Sequence, residues 1–144
     1  MARIASYADK KGITIVVEPT AAATNLIETA DDALELMRSV ERDNVKVMFD
    51  TLHAIYRNEI PADYVRTMGK DLVHVHFSDS NRLLPGEGRV DWFGLMQTLQ
   101  ECEFDGYVTM ELGLDSRVAD PAQLNSEDKD EVNSLPNLLG IKTR

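Results

Sequence analysis

The sequence is poor in cysteine and in long apolar runs, and each scarcity excludes a class of protein. Its single cysteine, Cys102, cannot form an internal disulfide, which is usual for proteins of a reducing compartment. No segment reaches the roughly 20 consecutive apolar residues of a membrane-spanning helix. The first residues, MARIASYADKKG, lack the apolar core of a secretory signal. These features predict a soluble protein of the cytoplasm.

Basic side chains are also scarce, because 15 lysines and arginines stand against 25 acidic residues, for a formal net charge of −10. Such a surface repels the phosphates of nucleic acids and the headgroups of anionic membranes, so we expect neither as a partner. Cations and neutral polyols remain suitable ligands. A composition of 43% apolar and 28% charged residues is that of a folded globular protein.

Four short apolar runs rich in β-branched residues recur at intervals of roughly 30 residues, which is close to the length of one βαβ unit. We interpret them as four strands: Ile13–Val17, Val45–Phe49, Leu72–Phe77 and Tyr107–Leu112. Apolar residues at helical spacing between them predict helices over 3–11, from about Asp31, after Pro61 and from Asp91, with Thr29 and Asp91 as N-caps. Continuous apolar strands that alternate with helices predict a parallel α/β sheet covered by helices.

Each predicted strand ends in a side chain that can bind a metal ion. These residues are Glu18, Asp50, His76 and Glu111. Because ligand sites of parallel α/β sheets lie at the carboxyl ends of the strands, we expect the four side chains to converge on one point. A single carboxylate there is more often a loop or cap residue, but three buried together need a cation to offset desolvation and repulsion. Three oxygen ligands and one nitrogen suit Mn²⁺, Co²⁺ or Mg²⁺ and tolerate Zn²⁺.

Further polar residues follow the second and third predicted strands. His53 lies three residues after the aspartate of the second strand, at the same rim unless it is an exposed loop histidine. Arg82 lies in the polar loop after the third strand, and Pro85–Gly88 (PGEG) predicts a tight turn whose glycines let the backbone approach a ligand. His74 shares the sheet face of His76 one layer deeper, where it either lines the site or hydrogen-bonds a neighbour in the core.

Five motifs follow one another along the chain: E-P before a helix, F-D-T-x-H, H-x-H-x-x-D-x-N-R, P-G-E-G, and a strand ending in M-E-L. Together, from about Ile4 to Leu112, they resemble the sugar phosphate isomerase/epimerase superfamily of xylose-isomerase-like TIM barrels. Similar in appearance within that superfamily are D-tagatose/D-psicose 3-epimerases, hydroxypyruvate isomerases and inosose dehydratases. The resemblance implies the barrel fold and isomerase chemistry, and it does not select a substrate.

The resemblance also implies a role for each motif residue. The four strand-end residues would bind one divalent metal ion, for which Mn²⁺ is the best fit. Glu18 and Glu111 would also form the acid/base pair, and His53 and Arg82 would hold the oxygens of a sugar substrate. Such a site epimerises or isomerises a small ketose or related polyol next to its carbonyl, by removing a proton from carbon and returning it, with an enediolate between. The metal would stabilise the negative charge that develops on oxygen.

One stretch departs from the family pattern. In the epimerases a second glutamate follows the first by six residues, whereas this sequence reads EPTAAATN, with Ala23 and Thr24 in that region. The departure removes a substrate contact and favours an isomerase-like branch other than a close ketose 3-epimerase.

The length of 144 residues is short of the roughly 200 that a complete eight-stranded barrel needs at the least. We therefore expect four βα units, about the C-terminal half of a TIM barrel, over residues 1–114, followed by a divergent, flexible tail over 115–144. Open sheet edges must be covered or paired, so we also expect a homodimer or a partner that supplies the other half.

The sequence leaves two alternatives open. One is a truncated fragment, or a half-barrel that has no catalytic activity without its partner. The other, less favoured, is an endonuclease-IV-like phosphodiesterase, which shares the D-T-x-H and H-x-x-D-S patterns. Such an enzyme needs three zinc ions and a later D-x-H pair, and the stretch LLPGEGRVDW contains no histidine.

Overall fold

The computed structural model of the chain describes residues 1–21 and 25–113. The tail predicted over 115–144 and the departure at Ala23 and Thr24 lie outside the described residues. Both stay predictions, as does the domain boundary at 114.

Helices and strands alternate along the chain. The helices are α1 (Ala2–Asp9), α2 (Ala30–Val40), α3 (Thr51–Tyr56), α4 (Pro61–Met68) and α5 (Trp92–Glu101), and a short 3-10 turn covers Gly69–Asp71. The strands are β1 (Ile15–Val17), β2 (Val45–Asp50), β3 (Leu72–Phe77) and β4 (Tyr107–Met110). Within the described ranges, no helix has the length and apolar character needed to cross a membrane.

The four strands form one parallel sheet in the order β1-β2-β3-β4. Parallel neighbours need long crossover connections, and helices supply them here. The register pairs Asp50 with His76 and His76 with Thr109, so the carboxyl ends of these strands lie level with one another. Four parallel strands that alternate with helices form part of a TIM barrel, and the predicted fold class is confirmed.

Apolar side chains on one face of the sheet form the core. Val47, Phe49, Val75 and Phe77 have no exposed surface, and α2 packs against β1 and β2 on this side. Because side chains alternate along a strand, the residues between these positions point to the opposite face. That alternation gives the sheet one apolar face towards the helices and an opposite, mixed face, which carries Met48 beside Asp50 and His76.

Two strands are shorter than the sequence predicts. β1 begins at Ile15 because the N–H of Ile13 donates to Ala8 O, which closes the turn after α1. β4 ends at Met110, and Glu111 follows it directly, with its N–H donated to the last residue of β3.

The predicted N-caps of two helices are confirmed. Thr29 Oγ1 accepts the N–H of Asp32 at 3.2 Å, and Asp32 Oδ2 accepts the N–H of Thr29 at 2.9 Å, which together form a capping box at the start of α2. Asp91 Oδ1 accepts the N–H of Gly94 at 3.0 Å at the start of α5.

The short helix α3 was not predicted from the sequence. Asp50 caps it by accepting the N–H of Leu52 at 2.7 Å, so the last residue of β2 also begins a helix. Leu52 and Ala54 are buried on its inner side. His53 therefore lies on a helix rather than in an exposed loop.

Candidate metal centre

Four side chains from the four strand ends meet at one edge of the sheet. They are Glu18, Asp50, His76 and Glu111, and each offers a ligand atom within 4.8 Å of the others. The structure thus brings together all four residues that the sequence placed at strand ends.

Strand length and register explain this convergence. Asp50 is the last residue of β2, and its register partner His76 is the penultimate residue of β3. Glu18 and Glu111 each directly follow the final residue of their own strand. All four strands run parallel, so their carboxyl ends share one edge.

Glu18 is partly buried, and one of its oxygens has no hydrogen-bond partner among the described residues. Its Oε1 is buried without a hydrogen bond and lies 3.7 Å from His76 Nδ1. Burial raises the pKa of Glu18, while the nearby His76 opposes the shift and the Asp50 carboxylate adds to it. A buried oxygen without a partner is costly, and a bound cation would satisfy it.

Asp50 is fully buried, and both of its oxygens are engaged. Oδ1 accepts the N–H of Leu52 at 2.7 Å, and the guanidinium of Arg82 contacts Oδ2. Burial raises the pKa of Asp50, and the hydrogen bonds from Leu52 and Arg82 only partly counteract it. The ionised form of this carboxylate therefore depends on a nearby cation.

Glu111 is the most exposed of the four, with 44% of its side chain accessible. Its Oε2 lies 2.5 Å from His76 Nδ1, and its Oε1 lies 2.7 Å from Arg82 Nη2. Burial alone would raise the pKa of Glu111, but its contacts with Asp50, Arg82 and His76 outweigh burial and lower the pKa. The pKa values of Glu18 and Glu111 are thus displaced in opposite directions.

The donor set fits a divalent metal ion. Three carboxylates and one imidazole nitrogen are ligands that moderately hard divalent ions accept. The carboxylates repel one another, and Arg82 supplies positive charge against two of them in this structure. The unpartnered oxygen of Glu18 is the specific feature that a metal ion would complete.

The two other histidines flank the cluster in different ways. Within residues 1–21 and 25–113, the buried Nδ1 of His53 has no hydrogen-bond partner, and His53 lies near enough to Glu18 to counteract part of the burial-driven rise in the pKa of Glu18. His74 Nε2 lies 2.8 Å from Thr109 Oγ1, and its ring centroid lies 4.9 Å from that of His76. His74 thus has a hydrogen-bonded neighbour, but Thr109 is exposed and does not belong to the core in which the sequence analysis placed that neighbour. A substrate contact by His53 stays a prediction.

Sequence reasoning gave no role to the buried polar residues that follow β3, although Asp79 stands in the motif H-x-H-x-x-D-x-N-R. Ser78 and Asp79 have no exposed surface, and neither has Thr51 beside them. Thr51 Oγ1 donates to Ser78 O at 2.6 Å and lies 3.0 Å from the N–H of Ser78. The available signal was the segment FSDS, which places polar residues directly after a buried strand, where site residues of this fold class lie.

Comparison with known proteins identifies the family of this chain. Residues 1–135 match the model of a family described as xylose isomerase-like TIM barrel. The sequence is 35% identical over 109 residues to D-psicose 3-epimerase of Agrobacterium fabrum, which covers 75% of this chain and 38% of that protein. It is 32% identical over 127 residues to L-ribulose 3-epimerase of Methylomonas sp., which covers 88% and 44%.

The fold comparison agrees with the sequence comparison. The structure of D-psicose 3-epimerase with D-tagatose from Clostridium cellulolyticum H10 matches with a TM-score of 0.84 at 27% identity, over 96% of this chain and 53% of that one. The chain therefore spans less than half the length of the two curated relatives and about half of that structure. Because the family model matches most of the sequence, the chain belongs to the xylose isomerase-like TIM barrel family.

Proposed function

We propose that the chain carries the metal centre of a sugar isomerase or epimerase, which acts next to the carbonyl of a small ketose or related polyol through an enediolate. The observation that carries this proposal is the convergence of Glu18, Asp50, His76 and Glu111 within 4.8 Å. The family, and 3-epimerases among the relatives, support it.

Glu18 and Glu111 are proposed as the acid/base pair. Burial raises the pKa of Glu18, whereas the surroundings of Glu111 lower its pKa, so one group retains a proton more readily than the other. Epimerisation requires that a proton leaves one face of a carbon and returns on the other. Two carboxyl groups from the ends of different strands, β1 and β4, suit that requirement.

His53 and Arg82 are proposed to hold substrate oxygens. Among the residues that the structure describes, the buried Nδ1 of His53 has no hydrogen-bond partner, and a substrate hydroxyl would supply one. The Arg82 guanidinium lies beside Glu111, where it would orient an oxygen close to the acid/base pair.

The proposed cofactor is one divalent ion, with Mn²⁺ as the best candidate. The three carboxylates and the imidazole of the cluster match its ligand preferences, and Co²⁺, Mg²⁺ or Zn²⁺ would also be accepted. When bound, it would stabilise negative charge on the carbonyl and hydroxyl oxygens of the substrate.

Solvent deuterium exchange tests the proposed reaction directly. The purified chain is incubated with Mn²⁺ in deuterated water and with D-psicose, D-tagatose, D-fructose or L-ribulose, and the sugars are analysed by NMR. We expect deuterium at one carbon next to the carbonyl, because the proton returned to carbon comes from a group that exchanges with solvent.

Two variants give this experiment its controls. Glu111→Gln should abolish the exchange and keep the circular dichroism spectrum, whereas Glu35→Gln, on the exposed face of α2, should keep full exchange. Full turnover in Glu111→Gln would contradict the proposed acid/base pair.

A second candidate function is a metal-binding domain that has no activity on its own. The observation that favours it is coverage, because the chain matches 53% of the epimerase structure, and the rest of such a barrel would supply walls of the pocket. This candidate predicts Mn²⁺ binding without deuterium exchange on any ketose. Three zinc ions per chain would instead favour the phosphodiesterase alternative, although the part of the chain that the structure describes shows one ligand cluster.

A further inference from the structure

One buried carboxylate organises the loop that follows β3. Asp79 has no exposed surface, and four donors converge on it. The backbone N–H groups of Ser80, Gly86 and Val90 lie 2.7, 2.9 and 3.1 Å from its oxygens, and Trp92 Nε1 lies 2.7 Å away. The carboxylate thus connects the start, the middle and the end of the loop.

These hydrogen bonds favour the ionised form of Asp79. Burial acts to raise its pKa, but the bonds from Trp92 and from the three backbone N–H groups outweigh burial and lower the pKa to about 2. Hydrogen bonds to an ionised acceptor are stronger than those to a neutral one. The loop is therefore held by charge-assisted bonds.

The PGEG turn is shaped around the same carboxylate. A Cβ at Gly88 would lie 2.1 Å from Asp79 Oδ1 and 2.5 Å from Ser80 Oγ, so only glycine fits there. Gly86 has a φ of +98°, a conformation that other residues rarely adopt. The group that the glycine backbone approaches in this structure is the Asp79 side chain.

Arg82 lies within this loop, and main-chain bonds to Asp79 fix its backbone. The N–H of Arg82 donates to Asp79 O at 2.9 Å, and the N–H of Asp79 donates to Leu83 O at 2.9 Å. Arg82 has a φ of +66°, which a non-glycine residue keeps only where its surroundings hold it. From that backbone its guanidinium reaches Asp50 and Glu111.

We propose that Asp79 is a positioning residue, which fixes the loop over residues 80–91 so that Arg82 faces the carboxylates of the metal centre. The effect of this positioning on catalysis rests on the proposed function. The positioning itself does not rest on the proposed function, because it concerns only the loop, Arg82 and two carboxylates of this chain.

A double-mutant cycle on the dissociation constant for Mn²⁺ tests the proposal. Arg82 and the metal ion are cations that compete for the same two carboxylates, so Arg82→Ala should lower the Kd about tenfold, the factor that corresponds to one charge-assisted hydrogen bond. Asp79→Asn, which keeps the side-chain volume, should lower the Kd by a similar or smaller factor. The double variant should match Arg82→Ala alone, because Asp79 acts through Arg82.

Two results would overturn the proposal. One is an unchanged Kd in Asp79→Asn, and the other is a double variant in which the two factors multiply. Asp91→Asn is the matched control, because it makes the same chemical change at the end of the same loop, and asparagine keeps the side-chain oxygen that accepts the N–H of Gly94 at the start of α5. Its Kd should equal that of the unmodified chain.

A milder variant covers the case in which Asp79→Asn does not fold. Trp92→Phe removes one of the four donors and keeps an aromatic ring against Phe77, whose centroid lies 5.0 Å from that of Trp92. It should lower the Kd by a smaller factor, and that change should vanish in the Arg82→Ala background. A change that persists in that background would contradict the proposal.

A metal-independent readout separates this proposal from the proposed function. The Nε–H resonance of Arg82, assigned by its loss in Arg82→Ala, should move towards the free-arginine position in Asp79→Asn and stay in place in Asp91→Asn. Failure to bind Mn²⁺ or to act on a ketose would count against the proposed function alone. A resonance unmoved in Asp79→Asn would count against the positioning role.

Discussion

At the scale of single residues, Glu18 lies where the protein does not compensate the burial of its carboxylate. Its Oε1 is buried without a hydrogen bond from any part of the chain that the structure describes, and burial raises the pKa of the carboxyl group above its usual range. An acid whose pKa is raised by folding lowers stability when it is ionised, and that loss disappears as the pH falls through the raised pKa. The ionised Glu18 therefore lowers the stability of the metal-free chain, and a bound cation would offset this loss.

We expect Glu18→Gln to leave the metal-free chain as stable as the unmodified one at pH 7, or more stable, because it removes a buried charge. The same variant should lose the rise in Tm that Mn²⁺ produces in the unmodified chain. Thermal unfolding followed by circular dichroism, with and without Mn²⁺, measures both effects, and Glu35→Gln serves as the exposed control. An equal metal-induced shift in Glu18→Gln would contradict the assignment of Glu18 to the metal centre.

For Asp79 we expect the opposite dependence of stability on pH. Its pKa is lowered to about 2, from 3.8, so the stability it contributes is present above about pH 4 and is lost as the pH falls towards 2. The shift corresponds to about 2 kcal/mol. Urea unfolding between pH 5 and pH 2.5 should show a weaker loss of stability in Asp79→Asn than in the unmodified chain, and parallel curves would show that the carboxylate is not held in this way.

At the scale of elements, the cap of α2 is a local feature whose energy can be measured separately from the site. Thr29→Ala removes the hydroxyl that accepts the N–H of Asp32, and it should lower the free energy of unfolding by about 1 kcal/mol. Ser39→Ala, near the exposed end of the same helix, should change it by less than about 0.5 kcal/mol. Urea denaturation tests both, and equal effects would contradict the capping role.

The strand ends could be predicted from the sequence because they depend on local pattern and one general property of parallel sheets. Apolar runs place Glu18, Asp50, His76 and Glu111 at the carboxyl ends of strands, and parallel strands bring those ends to one edge. The caps Thr29 and Asp91 could be predicted because a cap depends only on the next three residues.

Other features depend on distant contacts and could not be predicted in the same way. The helix α3 has six residues, too few for a clear helical period, and it forms where Asp50 caps it. The role of Asp79 needs donors up to 13 residues away, which meet only when the loop has folded. The contact of Arg82 with Asp50 follows from that loop and not from its neighbours in sequence.

At the scale of the whole molecule, the open sheet leads to an expectation about assembly. Within residues 1–21 and 25–113, β1 and β4 each pair with one neighbour, and unpaired strand edges favour association. We expect a homodimer, with a mass near twice 16.1 kDa, or a complex with a partner that supplies further strands. Light scattering coupled to size exclusion measures this mass, and a stable monomer that retains activity would contradict the expectation.

The proposed metal centre would also link the strands at this scale, because its four candidate ligands come from the ends of β1, β2, β3 and β4. The proposed metal centre is tested most directly by the stoichiometry of Mn²⁺ binding, measured by electron paramagnetic resonance on the full chain and on Asp50→Asn. We expect one ion per unmodified chain and none at the same Mn²⁺ concentration in the variant. An unmodified chain that binds no Mn²⁺, or a variant that binds as tightly, would contradict the proposed metal centre.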